Sequence, residues 1–300
     1  MSITRIKSIS ELHTLLGFPK PKYPLISLLD VAQMEVPEDR TGDKAIWDFY
    51  MISLKDRSCG VKYGRNSFDF DEGVMAFSAP GQVYQAIQAF QKGEIQGWML
   101  FFHPDLIRNT HLSQEMENYS FFDYEVVEAL HLSEDEEATI HATVANIKKE
   151  YEQRVDGHSQ RVIVSHLELL LNYCRRFYER QFRTRVRQRR DVIAQFEREL
   201  KRYFKEGKNT LSGLPEIQYF AERAHLSQHY FSDLIKNETG RKPKDHINEY
   251  VVEKAKNILL ATEHTISEVA YDLGFNSPNY FSRLFKAKTG FSPLEYRKMN

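Results

Sequence analysis

Along residues 20–105 the apolar positions fall in short runs rich in aromatic and β-branched residues: "YPLISLLDVAQM", "WDFYMISLK", "CGVKYG", "NSFDFDEGVMAFSAPG" and "IQGWMLFFHPDL". Gly, Pro, Asp and Asn separate them, which predicts several short strands and favours a barrel or sandwich over a parallel sheet. From about residue 112 the period changes. Ile140, Val144, Ile147 and Tyr151 recur at spacings of 4, 3 and 4, and Ile163, Leu167, Leu170, Cys174 and Phe177 at 4, 3, 4 and 3, so each set lines one face of a substantial helix. Asp156 and Gly157 suit a turn between two helices that pack antiparallel. The stripe Ile163, Leu167, Leu170 and Cys174 is expected either to enter the chain's own core or to form a dimer seam. The acidic run "SEDEEA" at 133–138 reads as a helix N-terminus capped by Ser133, with carboxylates favoured by the helix dipole.

The C-terminal pattern is a repeat. Residues 217–243, "IQYFAERAHLSQHYFSDLIKNETGRKP", return as residues 266–293, "ISEVAYDLGFNSPNYFSRLFKAKTGFSP". Tyr230, Phe231, Ser232, Leu234, Lys236, Thr239, Gly240 and Pro243 recur 50 positions later, while Ile217 and Ala221 recur 49 later as Ile266 and Ala270. The one-residue length change therefore lies in the turn, where two helices in a fixed relation tolerate it. In the second copy Ile266, Val269, Ala270 and Leu273 form the inner face of a first helix, and Gly274 stands where a left-handed conformation ends it. Ser277 caps the next helix and Pro278 takes its first position. Phe281, Leu284 and Phe285 face inward, leaving Asn279, Ser282, Arg283 and Lys286 outside.

This is a helix-turn-helix pattern, whose second helix presents its outer face to base edges in the major groove. Asn pairs bidentately with adenine and Arg with guanine, so Asn279 and Arg283 are candidates for base readout; Lys286 and the N–H groups at Ser277 suit phosphates. The first copy offers Ser227, Gln228, His229, Ser232 and Lys236 on the corresponding surface. It is less regular: His225 replaces the turn glycine at a conformational cost, and Asp233 repels phosphate. Unequal roles are expected of the two copies. Between them Ile247, Val251, Ala255 and Ile258 make a helical stripe. Its ~18 residues span roughly 27 Å at ~1.5 Å each, near the ~34 Å between successive major-groove faces. A rigid connector of that length holds two recognition helices on one side of a duplex.

Composition narrows the rest. With 41% apolar residues in 300, the chain can bury one large core or two to three smaller ones. A net charge of −1 makes any electrostatic case local. Arg175, Arg176, Arg180, Arg183, Arg185, Arg187, Arg189 and Arg190 form such a cluster, either a solvated helix face or a contribution to phosphate contact. Cys59 and Cys174 fit no metal or redox spacing and are expected to be free thiols in a reducing compartment. The opening "MSITRIKSISELHTLLGF" lacks a signal-peptide pattern and no apolar stretch approaches the ~20 residues of a membrane span, so a cytoplasmic location without membrane contact is expected. Nucleotide-binding, hydrolase and zinc-protease signatures do not occur, so the chain is not expected to be an enzyme.

The tandem copies, with "DVIAQFERELKRYF" opening the domain, resemble the DNA-binding domain of the AraC/XylS family of bacterial transcription regulators over about residues 190–300. Residues 20–105 are similar to the cupin-like barrel that serves many such regulators as a sensor. "GVMAFSAPGQVY" resembles the second cupin motif, but Tyr84 stands in the place of its metal-binding His and no H-x-H pair lies upstream, so neither metal nor cofactor is expected. "PGQVY" is then a plain turn or the rim of a ligand pocket lined by Trp47, Tyr50, Phe77, Tyr84 and Trp98, residues of a kind more often found in a core.

The resemblance implies an α+β multidomain chain: a cupin-like sensor over 1–110, a helical linker and dimerisation region over 111–187, and an all-α tandem helix-turn-helix domain over 188–300. The expected function is sequence-specific transcription regulation, activation being usual for the family, under a small-molecule signal. Promoter DNA, an effector, a second copy of the chain and RNA polymerase are the expected partners. The alternative is a metal-independent cupin enzyme fused to a DNA-binding tail, for which turnover abolished by Tyr84→Phe is the mark.

Overall fold

The structure, a computed structural model, describes residues 3–35, 38, 44–55, 73–85, 91–124, 128–184 and 186–299. The run at 59–64, Cys59 and Arg185 lie outside the described residues, as do the side chains of Tyr84, Arg183, Arg187, Arg189 and Arg190. The chain divides into two compact units, Met1–Gln181 and Phe182–Asn300.

The first unit holds strands β1 (Ile3–Ile6), β2 (Ile26–Asp30), β3 (Lys44–Trp47), β4 (Tyr50–Lys55), β5 (Val74–Ser78), β6 (Val83–Gln85), β7 (Gly97–Phe102) and β8 (Leu130–His131). Its helices are α1 (Ile9–Leu15), α2 (Pro104–Ile107), α3 (His111–Glu115), α4 (Glu134–Glu152) and α5 (Ser159–Thr184), the last running on into the second unit. The strands form a sheet ordered β1-β3-β6 and another ordered β2-β7-β4-β5-β8. Among the described residues these sheets are open, which corrects the expectation of a closed barrel. The larger sheet ends at the two-residue β8, whose edge is taken by a side chain instead of another strand. Gln181 accepts from the His131 N–H at 2.8 Å and donates to the Ala129 carbonyl at 3.2 Å.

Strand alternation sorts the larger sheet's side chains into two layers. Leu29, Met51 and Phe101 meet Ile6, Ile9, Leu12 and Phe49 in one core, with Trp47 packed against it. On the opposite face Tyr50 stacks on Phe102, and Phe77 meets Phe121, Phe122 and Tyr178 of α5. A strand covered on both faces needs apolar residues at successive positions, as Leu100, Phe101 and Phe102 of β7 provide. Ser133 caps α4 in a reciprocal capping box with Glu136. The same Glu136 accepts from Arg180 Nε at 2.9 Å and Nη2 at 2.7 Å, tying α4 to α5.

The second unit comprises α6 (Val186–Lys205), α7 (Lys208–Ser212), α8 (Ile217–Arg223), α9 (Gln228–Thr239), α10 (Pro243–Ala261), α11 (Ile266–Asp272), α12 (Pro278–Thr289) and α13 (Pro293–Met299). Phe196 of α6 sits edge-on to Phe220 and Phe231, at centroid distances of 4.9 and 5.7 Å. Burying an aromatic side chain of this size stabilises by about 2–3 kcal/mol, so α6 anchors the first repeat copy. Ile247, Val251 and Ala255 of α10 face inward as expected; the stripe then continues at Leu259, with Ile258 half-buried.

Candidate nucleic-acid interface

Each repeat copy builds its second helix with the same local devices. In the second copy Thr265 and Glu268 form a capping box at the start of α11, and the Thr265 N–H holds the Glu268 carboxyl below its ordinary range. The chain turns through Gly274 at φ 92°. Ser277 Oγ then accepts from the Tyr280 N–H, Pro278 takes the first position of α12, and Gly290 ends that helix at φ 83°. Phe281 and Phe285 are fully buried, and Phe281 packs on Phe275 at 5.2 Å. Leu284, expected inside, is only half-buried.

With that face anchored, the 3.6-residue period turns the opposite one outward. Asn279, Arg283 and Lys286 are exposed and Ser282 is half-buried beside them, one continuous polar strip along α12. Ser277 lies at its N-terminal end, its hydroxyl committed to the cap.

In the first copy Ser227 Oγ accepts from the Tyr230 N–H at 3.2 Å, and Gly240 ends α9 at φ 74°. Gln228, His229 and Lys236 are exposed; Ser232 donates to the Gln228 carbonyl at 2.7 Å. His225 adopts φ 55°, the left-handed conformation that its alignment with Gly274 predicts. One difference was not legible. Tyr280 is 41% exposed, whereas its counterpart Tyr230 is 6% exposed beneath Phe182, with centroids 5.0 Å apart.

The remaining candidates are scattered. Ile163, Leu167, Leu170 and Cys174 are fully buried within the single chain, the core alternative of the two expected for this stripe. Burial also pushes the Cys174 thiol well above its ordinary pKa. Of the five aromatics proposed to line one pocket, the four with described side chains do not converge. Tyr50, Phe77 and Trp98 share the helix-facing side of the larger sheet by strand register, while Trp47 belongs to the core on its other side. Tyr84 pairs with Ala45 between β6 and β3. Among the arginines, Arg180 is bound to Glu136 and Arg175 lies 5.7 Å from the Tyr119 ring centroid. Among the described residues no cluster of His, Cys, Asp or Glu is arranged to hold a metal, and no helix is long and apolar enough to cross a membrane.

A family model described as a helix-turn-helix domain matches residues 220–299, which run from within α8 to the end of α13. The C-terminal region therefore contains a helix-turn-helix domain. The uncharacterized HTH-type transcriptional regulator YobQ of Bacillus subtilis is 35% identical over 81 residues, 27% of this chain and 34% of YobQ. The HTH-type transcriptional activator RhaS of Salmonella arizonae is 33% identical over 78 residues, 26% of this chain and 28% of RhaS. Among solved structures, the C-terminal domain of AraT, a response regulator from Geobacillus stearothermophilus, is 30% identical with a TM-score of 0.31, covering 35% of this chain and 85% of that one. The chain thus spans between about a quarter and a third of the length of the curated relatives it matches, and the similarity lies in the helix-turn-helix region.

Sequence reading missed Asn209, a buried residue whose side chain bonds to α11. Its only local signal is the short "GKNTLSG" segment between two glycines, which marks a turn and says nothing of what the turn touches.

Proposed function

We propose that this chain is a sequence-specific DNA-binding regulator of transcription, an activator that places α9 and α12 in successive major grooves of promoter DNA. The observation that carries this reading is the pair of exposed polar strips on two helices capped and terminated alike. The 19 residues of α10 between them span about 28 Å at ~1.5 Å per residue, against a groove repeat of ~34 Å. Asn279 and Arg283 read base edges; Lys286 and Lys236 meet phosphates; Gln228, His229 and Ser232 supply the first copy's contacts.

The first unit serves as the sensor for a small-molecule effector, with Tyr50, Phe77 and Trp98, which share one face of the larger sheet, as its candidate contacts. The effector acts by binding one arrangement of the regulator better than another, the only way a ligand shifts such an equilibrium. The protein works in the cytoplasm as a homodimer beside RNA polymerase. Val162 and Leu169 support a seam on the outer side of α5, since both are exposed where the neighbouring stripe is buried.

Fluorescence anisotropy with labelled promoter fragments tests the central reading. Sequence-preferred binding at moderate salt is expected, with affinity falling as salt rises. Equal affinity for promoter and random duplexes across small-molecule additions would sink it.

A further inference from the structure

The segment between α6 and the first helix-turn-helix touches the second one. Asn209, on the short helix α7, is 6% exposed, and its Nδ2 donates to the carbonyl of Asp272, the last residue of α11, at 2.6 Å. Beside that bond the two backbones meet. A Cβ on Gly274 would stand 2.7 Å from the Asn209 carbonyl oxygen and 3.0 Å from the Gly213 carbonyl carbon. Glycine at 274 therefore answers two demands: a left-handed turn, and an approach that no side chain permits.

The segment is itself held from the other side. Tyr203 of α6 donates its hydroxyl to the Gly213 carbonyl at 3.0 Å, and α6 is fastened to the first copy through Phe196. A continuous path of contacts thus runs from α8 and α9 through α6, Tyr203 and Asn209 to the turn of the second copy. It runs beside α10, which α6 also touches through Phe196 on His246 and Phe204 on Tyr250. The covalent route from α10 to α11 passes through Thr262–Thr265, four residues without regular structure, and α10 also packs against α11 and α12, so the Asn209 contact adds a directional bond to that packing.

We infer that Asn209 is a positioning residue that, with Gly274, sets the spacing and rotation between the two recognition helices. This rests on the reading that both helices enter DNA. The physical case lies in the kind of contact. Asn209 Oδ1 is buried with no hydrogen-bond partner, so the amide is only half satisfied; an apolar side chain of similar volume would remove that buried acceptor but take the donor from the Asp272 carbonyl, two effects of opposite sign on folding stability. What an apolar residue lacks is direction. The Nδ2 bond pins one carbonyl at one angle, whereas an apolar contact lets α11 slide.

The test uses the full chain and a duplex selected by the wild-type protein from a randomised library long enough for two half-boxes. Affinity is measured for that duplex, for versions with one base pair added or removed between the half-boxes, and for one keeping only the half-box read by α12. Asn209→Leu is expected to reduce several-fold the preference for the selected spacing while leaving the single half-box affinity unchanged. Tyr203→Phe loosens the same segment, keeps its ring against Tyr219, and carries the test if Asn209→Leu does not fold. Variants that keep the wild-type ratio of affinities across spacings, with or without a uniform loss, make Asn209 merely structural and overturn the inference while DNA binding stands. A wild-type protein that selects no sequence overturns both.

Discussion

The second copy turns through Gly274 at φ 92° and the first through His225 at φ 55°, yet each ends its second helix with a left-handed glycine and closes it with the same threonine. Thr239 and Thr289 each donate to the carbonyl four residues back, and accept from the N–H two residues on. The differences lie on the outside. Tyr230 is covered by Phe182 where Tyr280 is open, and half-buried Asp233 stands where Arg283 is exposed. The helix after each copy also begins differently. Ser292 and Glu295 bond reciprocally at α13, and the Ser292 N–H keeps the Glu295 carboxyl below its ordinary range, whereas Lys242 gives α10 no side-chain cap. Caps, turn and inner aromatics are what two helices need to hold a fixed angle; the outer surface is free to specialise.

Four experiments press on that comparison. If the inner frames are equivalent, Phe231→Ala and Phe281→Ala should each cost about 3–5 kcal/mol, because both side chains are fully buried. Denaturant unfolding followed in the second unit checks this, and a markedly smaller loss for either would break the equivalence. Next comes the turn. Gly274→Ala should destabilise by about 2–3 kcal/mol, from the left-handed backbone and the contact with Asn209, while His225→Gly should gain up to about 1 kcal/mol. Opposite signs in the two melting temperatures are the expected result.

On DNA, Arg283→Ala should cost about 1–3 kcal/mol and relax preference at one base pair, whereas Lys286→Ala should weaken all sequences and lower the salt slope by about 1. Equal losses on specific and random duplexes would remove the role assigned to Arg283. The smallest effect is in pH. Burial, helped by Arg241, lowers the pKa of His246 from its ordinary 6.5, and its Nε2 lies 2.9 Å from Thr239 Oγ1. The unfolded chain then takes up the proton more readily. The second unit should hold this contribution above about pH 6.5 and lose it as pH falls through the lowered value. The second copy has Tyr296 at the corresponding position, 50 residues on. His246→Gln should therefore flatten the fall in thermal midpoint between about pH 7 and about pH 5.

Much of the interface was legible because its signals are local. The repeat, the caps at Ser227 and Ser277, the left-handed turn at His225 and the polar strip through Asn279, Arg283 and Lys286 all follow from residue type and spacing within a few positions. The first unit was less legible. Short aromatic runs announced strands, but alternation alone does not say which face another layer covers, so Trp47 and Phe77 read as partners although a sheet lies between them. The stripe through Leu167 and Leu170 looked equally ready for a partner chain or for the core, since apolar periodicity specifies a buried face without naming what buries it.

The sequence by itself therefore determined where helices start, turn and stop, and which side of each is polar, because hydrogen-bonded caps and the 3.6-residue period act between near neighbours. The tertiary structure alone decided that Tyr230 is covered while Tyr280 is not, that the α5 stripe turns inward, and that Asn209 reaches Asp272 across 63 positions. Those outcomes depend on which distant surfaces meet, and no short-range pattern carries that information.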